Sequence, residues 1–283
     1  NKKKEIICKY LWQEGKKITD YADKDKFFNE INSEFGVSSK ILKKYLDKAK
    51  KKYDLTSDLF LKKSLHKLGT FLSIKTIKAL SKLSIFEIGK TLSEVNEGIL
   101  KEPHLVQFYN RYATYNGSSP YSTPGIMTVI QHLESHYGTY IPEGGMHSIT
   151  KSLYELAKRQ GVIFNFNECV SEIILKGSRA IGLVVDGKNL FFDTVISNMD
   201  IYPTYEKLLP KVKFPSKIKN QERSSSAVIF YWGVSKKFDN LDLHNVFFSK
   251  DYRKEFNSIF NQKNIHDDPT IYVNITSKEI PTD

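Results

Sequence analysis

Three short segments of this chain combine aromatic, glycine and small polar residues in an order suited to binding a large, mostly apolar ligand. They are Arg111–Pro120 (RYATYNGSSP), Tyr140–Met146 (YIPEGGM) and Val195–Asp200 (VISNMD). Tyrosines beside an arginine can line a cavity that holds a long apolar molecule through contact area. A glycine pair before a helix leaves backbone N–H groups open to a phosphate or to the edge of an electron-rich ring. Small polar groups after a strand lie where open α/β sheets bind ligands.

Each segment also has a structural interpretation that needs no ligand. The tyrosines can form a packed corner, and the glycine pair can be a plain turn. Ser197 and Asn198 can cap a helix. The residues alone leave both interpretations open.

Taken together and in this order, the three segments resemble the bacterial-type phytoene desaturase family, the FAD-dependent carotenoid desaturases. The resemblance extends from about Phe108 to Pro281. It implies a cofactor, FAD, contacted by Gly144, Gly145, Met146, Val170, Ser197 and Asn198, with the Val170 backbone on the adenine side. It also implies a wall for an acyclic carotenoid substrate, formed by Arg111, Tyr112 and Tyr115.

The resemblance implies a reaction as well. Two hydrogens leave a saturated carbon pair of an acyclic carotenoid, and a hydride passes to FAD. No dedicated catalytic base is implied, so no catalytic residue is named. Arg111–Gly117 is most similar to the bacterial branch that includes hydroxycarotenoid 3,4-desaturases, with the phytoene desaturases close behind. The identity of the carotenoid, the number of desaturation steps, the electron acceptor and the oligomeric state leave no short motif.

Two parts of the family pattern do not occur in this sequence. There is no G-x-G-x-x-G, and the closing flavin segment expected after Pro281-Thr282 is absent. We therefore expect an internal portion of a larger desaturase, which by itself is inactive and does not hold FAD tightly because the pyrophosphate-binding turn is the main anchor. The alternative is a cofactor-free binding module for an apolar ligand or a partner protein. A reading frame that continues upstream into a strand, a G-x-G-x-x-G turn and a helix favours the enzyme, whereas a start codon just before Asn1 favours the module.

Other chemistry has little support in the sequence. His132, Glu134 and His136 alternate as three donors on one face of a predicted strand, but they lack the H-E-x-x-H spacing and a fourth donor, so we predict no metal site. No nucleophile elbow, phosphate-binding loop or kinase signature is present, which argues against common hydrolases and NTPases. Cys8 and Cys169 are isolated, which argues against disulfides and fits a reducing compartment.

The charge of the chain suggests an anionic partner. Lysines and arginines number 43 against 32 acidic residues, and residues 1–100 hold 22 lysines against 13 acidic residues. Acidic lipid or nucleic acid could attract this region, although the lysines could equally be solvated helix faces. No nucleic-acid recognition motif is present, so we predict no nucleic-acid partner. We expect a cytoplasmic protein associated peripherally with the inner face of the cell membrane, where carotenoids dissolve.

The predicted fold class is α/β, with part of an FAD-binding Rossmann-like domain carrying an inserted β-meander and a mixed helical and β-sheet substrate domain. Residues 1–140 and 211–283 are assigned to the substrate domain, the first range also facing the membrane, and residues 141–210 to the FAD-binding domain. The predicted strands are Ile6–Trp12, Lys17–Tyr21, Val162–Phe166, Val170–Leu175, Ala180–Val185, Leu190–Asp193, a buried Thr194–Ser197, a β-rich run Ser224–Val234 and a strand ending at Ile275. The predicted helices are Ile41–Ala49, Met146–Gln160, Asp251–Phe260 and an apolar core or interfacial segment, Leu68–Leu92.

Overall fold

The structure is a computed structural model that describes residues 2–57, 64, 67, 83–87, 89–221 and 223–281. The predicted apolar segment Leu68–Leu92 lies mostly outside the described residues. The α-helices, in chain order, are α1 (Lys24–Phe35), α2 (Ser39–Thr56), α3 (Leu83–Phe86), α4 (Leu92–Leu100), α5 (Pro103–Asn110), α6 (Val129–Tyr137), α7 (His147–Arg159), α8 (Ile201–Pro203), α9 (Ser216–Lys219) and α10 (Tyr252–Asn257). Short 3₁₀ segments cover Arg111–Asn116, Gly125–Thr128 and Thr276–Lys278, and π-helical turns cover Thr204–Leu208 and Ser258–Gln262.

Within the described ranges, the strands form three sheets. They are β1 (Lys2–Lys3), β2 (Ile6–Leu11), β3 (Lys17–Tyr21), β4 (Tyr140–Ile141), β5 (Val170–Lys176), β6 (Arg179–Val185), β7 (Lys188–Phe191), β8 (His244–Phe247) and β9 (Ile271–Asn274). β1 pairs with β4, the order β3-β2-β8-β9 makes a four-stranded sheet, and β5-β6-β7 makes a meander. Only the β2–β8 pair among these ladders is parallel. The chain divides into two compact units, Asn1–Ile149 with Ser224–Asp283, and Thr150–Arg223.

The first hairpin forms as its residue pattern predicts. β2 and β3 pair antiparallel, with Tyr10 opposite Ile18, and Gly15 takes a positive φ of 88° in the turn. Tyr10 and Ile18 are almost fully buried, because alternate residues of each strand face the core. β8 then adds beside β2, so that β2 is an interior strand of the four-stranded sheet.

Helices pack on this sheet through apolar residues at helical spacing. α1 begins at Asp23, whose carboxylate accepts from the Lys26 N–H at 2.9 Å, and ends at Gly36 with a φ of 69°. α2 buries Leu42 and Tyr45 and exposes lysines on its outer face. The core of the first unit is rich in aromatic rings, which include Tyr10, Trp12, Phe27, Phe108, Tyr109, Tyr112 and Phe248.

The second unit, Thr150–Arg223, is built around the predicted meander. β5, β6 and β7 run antiparallel in sequence order, and the Lys188 end of β7 pairs with the end of β6 at Val185. Ile173 and Val185 are its buried strand residues, and Leu208 from the π-helical turn is buried in the same unit. The meander prediction is confirmed.

Three predicted strands are wrong. Val162–Phe166, Thr194–Ser197 and Ser224–Val234 carry no strand in the structure. A strand needs a hydrogen-bonded neighbour, and no described segment pairs with any of the three. Their side chains are largely exposed, as Ile196 at 88% shows, so the prediction that Thr194–Ser197 is buried is also wrong.

The coarse prediction of a mixed α/β chain is confirmed. The helix and strand bounds agree closely with the prediction for α7, α10 and β9, whereas α2 is confirmed as a helix but extends seven residues beyond the predicted end at Ala49. Among the described residues, no helix combines the length and apolar character needed to cross a membrane.

Candidate functional site

Three tyrosines form a stack that runs from α5 into the 3₁₀ segment after it. Tyr109, Tyr112 and Tyr115 follow each other at three-residue steps, which in a helical segment places them on one side. Their rings stack, with centroids 6.1 Å apart for Tyr109 and Tyr112 and 5.7 Å apart for Tyr112 and Tyr115. Tyr112 is buried, whereas Tyr115 is 56% exposed, so the stack leads from the core to the surface.

Glu134 in α6 holds the outer two members of this stack. The Tyr112 hydroxyl donates to Glu134 Oε1 at 2.6 Å, and the Tyr115 hydroxyl donates to Oε2 at 2.7 Å. Hydrogen bonds to an ionised acceptor are stronger than those between neutral groups. Both rings are therefore fixed by packing and by one carboxylate.

Arg111 lies among the same rings. Its guanidinium carbon is 5.1 Å from the Tyr10 ring centroid, 4.8 Å from that of Tyr112 and 5.5 Å from that of Tyr115. These are cation–π distances. Burial alone would lower the pKa of Arg111, but the tyrosines and Glu134 raise it above its usual value, so the guanidinium stays charged. The structure thus brings together the three predicted wall residues, Arg111, Tyr112 and Tyr115.

A small cavity lies beside this aromatic wall. Its volume is about 50 Å³, and its aromatic lining includes Phe27, Phe108, Tyr109 and Tyr112. The polar lining includes Lys3, Asp20, Lys24, Gln131, Glu134, Ser135 and His136. The lining therefore combines aromatic rings with charged and hydrogen-bonding groups.

Asp20 is a candidate residue that the sequence analysis missed. Its side chain is buried in β3, and no described residue donates a hydrogen bond to its carboxyl group. Burial, then the nearby Glu134, raises the pKa of Asp20 well above its usual value, and Arg111 opposes this rise. The signal was present in the sequence, because Asp20 falls two residues after Ile18 and so on the buried face of an amphipathic strand.

Gln131 ends a buried chain of polar side chains. The Tyr45 hydroxyl lies 2.8 Å from Gln131 Oε1 and 2.6 Å from Asn96 Oδ1. Asn96 in turn donates to Asn110 Oδ1 at 2.9 Å. The Gln131 side chain is almost fully buried. Because the single Tyr45 proton serves only one of the two amides, one polar atom of the Gln131 amide has no hydrogen-bond partner among the described residues.

The glycine pair forms a left-handed turn at the start of α7. Gly144 and Gly145 have φ values of 77° and 78°, which L side chains rarely adopt. A Cβ at Gly145 would lie 2.8 Å from Ile280 Cδ1, so the end of the Ile280 side chain would have to shift to admit it. Met146 follows with 68% exposure. The turn presents bare backbone before a helix N-terminus, the arrangement that suits the edge of a flavin or a phosphate.

The other predicted cofactor residues lie in the second unit. Val170 opens β5 and is opposite Val185. The Ser197 hydroxyl is 2.9 Å from Thr204 Oγ1, and Asn198 is exposed. Because Thr194–Ser197 is not a strand, Ser197 and Asn198 do not follow a strand end, contrary to the prediction. They instead precede Asp200, whose carboxylate caps α8 by accepting from the Tyr202 N–H at 2.9 Å.

The alternating His132, Glu134 and His136 lie on a helix, so their predicted placement on one face of a strand is wrong. The two imidazoles stack with centroids 5.0 Å apart, as expected four residues apart on α6. Glu134 bonds to the tyrosines instead. Within the described ranges, no group of three or more His, Cys, Asp or Glu side chains is placed to hold a metal ion.

Comparison with known proteins adds a family and several relatives. The family model described as flavin-containing amine oxidoreductase matches residues 18–272. A 1-hydroxycarotenoid 3,4-desaturase from Flavobacterium sp. (strain P99-3) is 47% identical over 281 residues, which cover 99% of this chain and 57% of that protein. A phytoene desaturase from Cercospora nicotianae is 36% identical over 58% of this chain and 27% of that protein.

A 4,4'-diapolycopene oxygenase from Methylomonas sp. is 32% identical over 74% of this chain and 42% of its own length. Among solved structures, an oxidoreductase from Methanosarcina mazei has a TM-score of 0.41 and 21% identity, covering 56% of this chain and 39% of that one, which does not establish a shared fold. The chain therefore spans less than two thirds of each of these curated relatives. The resemblance to carotenoid desaturases predicted from the three motifs is confirmed.

Proposed function

We propose, from the premise that this chain belongs to the flavin-containing amine oxidoreductase family, that it is part of an FAD-dependent carotenoid desaturase. The observation that carries the proposal is the extent of the similarity to the Flavobacterium enzyme, which covers 99% of this chain and so the ranges of both the tyrosine stack and the glycine turn. The substrate class we infer is an acyclic carotenoid, of the hydroxylated or the phytoene type.

The residues present fit a flavin and an apolar substrate. Gly144 and Gly145 offer backbone that a side chain would block, and Met146, Val170, Ser197 and Asn198 are the further residues we assign to FAD. FAD, if bound there, would supply the hydride acceptor for the removal of two hydrogens from a saturated carbon pair, the second hydrogen leaving as a proton.

The protein's own part in this proposal is positioning. The rings of Tyr112 and Tyr115 are held by Glu134 and by Arg111, so they form a rigid wall rather than mobile side chains. A polyene offers little to hydrogen-bond, and contact with fixed aromatic faces is the main source of binding energy for it.

The finer fold assignment is part of the same proposal. We assign residues 141–210, with the helix α7 and the β5-β6-β7 meander, to part of a Rossmann-like FAD-binding domain. We assign residues 1–140 and 211–283 to the substrate domain. Support comes from the family match across these ranges and from the placement of the glycine turn directly before α7.

We further propose attachment to a membrane surface, on the cytoplasmic side. The support is the outer face of α2, where Lys40, Lys43, Lys44 and Lys51 are exposed. Each lysine near an anionic bilayer contributes about 1 kcal/mol. Cosedimentation with anionic vesicles that falls with added salt is expected, and equal binding to neutral vesicles would contradict the proposal.

The decisive experiment is a flavin absorption spectrum of two proteins. One is this chain, and the other is the product of the full reading frame that encodes it. We expect bound FAD in the longer protein, with bleaching under anaerobic conditions when an acyclic carotenoid is supplied in liposomes. A longer protein without FAD would contradict the proposal and favour a cofactor-free binding module.

A further inference from the structure

Two buried polar groups at the cavity lack hydrogen-bond partners. The Gln131 side chain is 1% exposed, and one of the two polar atoms of its amide has no hydrogen-bond partner among the described residues. Asp20 is 6% exposed, and its carboxyl group receives no hydrogen bond from the described part of the chain. Buried polar groups are normally paired, and leaving one unpaired costs free energy. Both groups line the same cavity, so a molecule in it could supply the missing partners.

The two unpaired groups differ in chemistry. The Gln131 amide donates through its NH₂ group or accepts through its oxygen, and the Asp20 carboxyl group offers an acceptor oxygen and, when protonated, a donor. A hydroxyl is the smallest group that accepts one hydrogen bond and donates another. These two lining groups are thus suited to a hydroxyl, and the lining rings of Phe27 and Phe108 are suited to the hydrocarbon that carries it.

The size of the cavity limits what it can hold. Its volume of about 50 Å³ exceeds the roughly 10–15 Å³ that one water requires. It is much smaller than the roughly 300–1,000 Å³ of a site for a whole drug-sized ligand. An end group fits these limits, and a complete polyene does not.

We propose that this cavity binds a hydroxyl at the end of an acyclic carotenoid, with the Gln131 amide and the Asp20 carboxyl group as the two hydrogen-bond partners of that hydroxyl. The inference rests on the proposed function and adds a specificity to it. Asp20 and Gln131 would favour hydroxylated over plain hydrocarbon substrates, because an analogue without the hydroxyl leaves both groups unpaired. An ordered water is the competing occupant.

The test compares two substrates with the protein of the full reading frame. The ratio of kcat/KM for a 1-hydroxylated acyclic carotenoid to that for its hydrocarbon analogue is measured in liposomes. We expect Asp20→Leu to lower this ratio at least about tenfold and Gln131→Leu to lower it as well. Asp20→Asn, which preserves shape and one acceptor oxygen, is the milder variant and should lower the ratio less.

A second readout separates binding from a structural role. Because the Asp20 carboxyl group is buried without a donor, Asp20→Leu is expected to raise the thermal midpoint while it lowers the substrate ratio. Glu255→Gln is the matched control, since Glu255 is also a buried carboxylate but is hydrogen-bonded to Ser249 and Thr270 outside the cavity lining. It should lower the thermal midpoint and leave the ratio unchanged.

The possible failures are distinguishable. If the wild-type enzyme desaturates both carotenoids and neither Asp20→Leu nor Gln131→Leu changes the ratio of the two kcat/KM values, the inference is overturned. The proposed function then remains intact, and the cavity is assigned to water. A flavin-loaded protein that desaturates neither substrate would overturn the proposed function, and the inference with it.

Discussion

At the scale of single residues, Glu134 is the most informative side chain, because two tyrosine hydroxyls depend on its carboxylate. Glu134→Gln preserves the size of the side chain but removes its charge. We expect a loss of about 1–2 kcal/mol in the free energy of unfolding, because charge-assisted hydrogen bonds become neutral ones. Urea unfolding of the variant and the parent measures the difference.

The control for this prediction is Tyr115→Phe. It deletes one of the two hydrogen bonds at a ring that is 56% exposed, so we expect a cost below about 1 kcal/mol. Equal stability of Glu134→Gln and the parent would mean that the carboxylate does not hold the tyrosine stack.

His104 gives a prediction about pH. Its two ring nitrogens contact Glu102 and Glu14 at 2.7 and 2.5 Å. Burial alone would lower the pKa of His104, but the two carboxylates outweigh it and raise that pKa above its usual value. The charged imidazole therefore stabilises the fold fully below pH 6.5 or so, and this contribution is lost as the pH rises through the raised pKa. Urea unfolding from pH 6 to pH 9 should show this loss in the parent and not in His104→Gln.

His132 supplies a control of opposite sign. Burial, helped by the neighbouring His136, lowers the pKa of His132. The neutral form is therefore favoured in the fold, and stability gained from it decreases as the pH falls below 6.5 or so. If the His132→Gln variant loses stability at high pH as the parent does, that loss of stability is assigned to His104.

At the scale of elements, the attachment of α2 depends on a buried lysine. Lys52 is 1% exposed, and its ammonium donates to Glu87 Oε2 at 2.6 Å, to the Gly125 carbonyl at 2.9 Å and to Thr128 Oγ1 at 2.7 Å. Lys52→Met removes three hydrogen bonds, although Glu87 keeps Lys48 as a partner and the Gly125 carbonyl keeps the Thr128 hydroxyl. We expect a loss of about 1.5–3 kcal/mol in the free energy of unfolding, measured by urea denaturation.

Lys50→Met is the matched control on the same helix. Lys50 pairs with Asp54 on the surface, where both side chains are 52% exposed. Exposed pairs contribute little, so we expect a change below about 0.5 kcal/mol. Similar losses for the two variants would show that Lys52 acts only through the helix propensity of α2.

The turn before α7 gives a prediction about backbone geometry. Gly145→Ala combines a φ of 78° with a Cβ only 2.8 Å from Ile280 Cδ1, whereas Gly144→Ala has a similar φ and its nearest contact at 3.7 Å. We expect Gly144→Ala to cost about 1–2 kcal/mol for the left-handed backbone and Gly145→Ala to cost more. Thermal unfolding ranks the two variants, and a smaller cost at Gly145 would contradict the geometry.

At the scale of the whole molecule, the segment Val228–Val234 has an uncovered apolar surface. Phe230, Tyr231 and Trp232 are 71%, 93% and 79% exposed. Contiguous apolar surface of this kind marks an interface or a site of aggregation. We expect the 283-residue chain to bind a hydrophobic dye strongly and the product of the full reading frame to bind it weakly, because further chain would cover the segment. Equal dye binding per molecule would contradict this expectation.

Much of the local structure could be predicted from the sequence. Alternating buried residues predict β2 and β3, the Asp186-Gly187 turn predicts the meander, and apolar residues at helical spacing predict α2 and α7. These patterns succeed because they depend on neighbours within a few residues. The three motifs and their order were also sufficient to indicate the family, which the comparisons confirm.

The tertiary structure decided what depends on distant partners. Apolar content suggested strands at Val162–Phe166 and Ser224–Val234, but a strand forms only where another segment offers its backbone. Asp20 and Gln131 are far apart in sequence, and only the packing of β3 against the helices puts them on one cavity. The sequence by itself therefore determined the elements and the family, while the pairing of strands and the meeting of buried polar groups required the fold, because both depend on contacts that no local pattern contains.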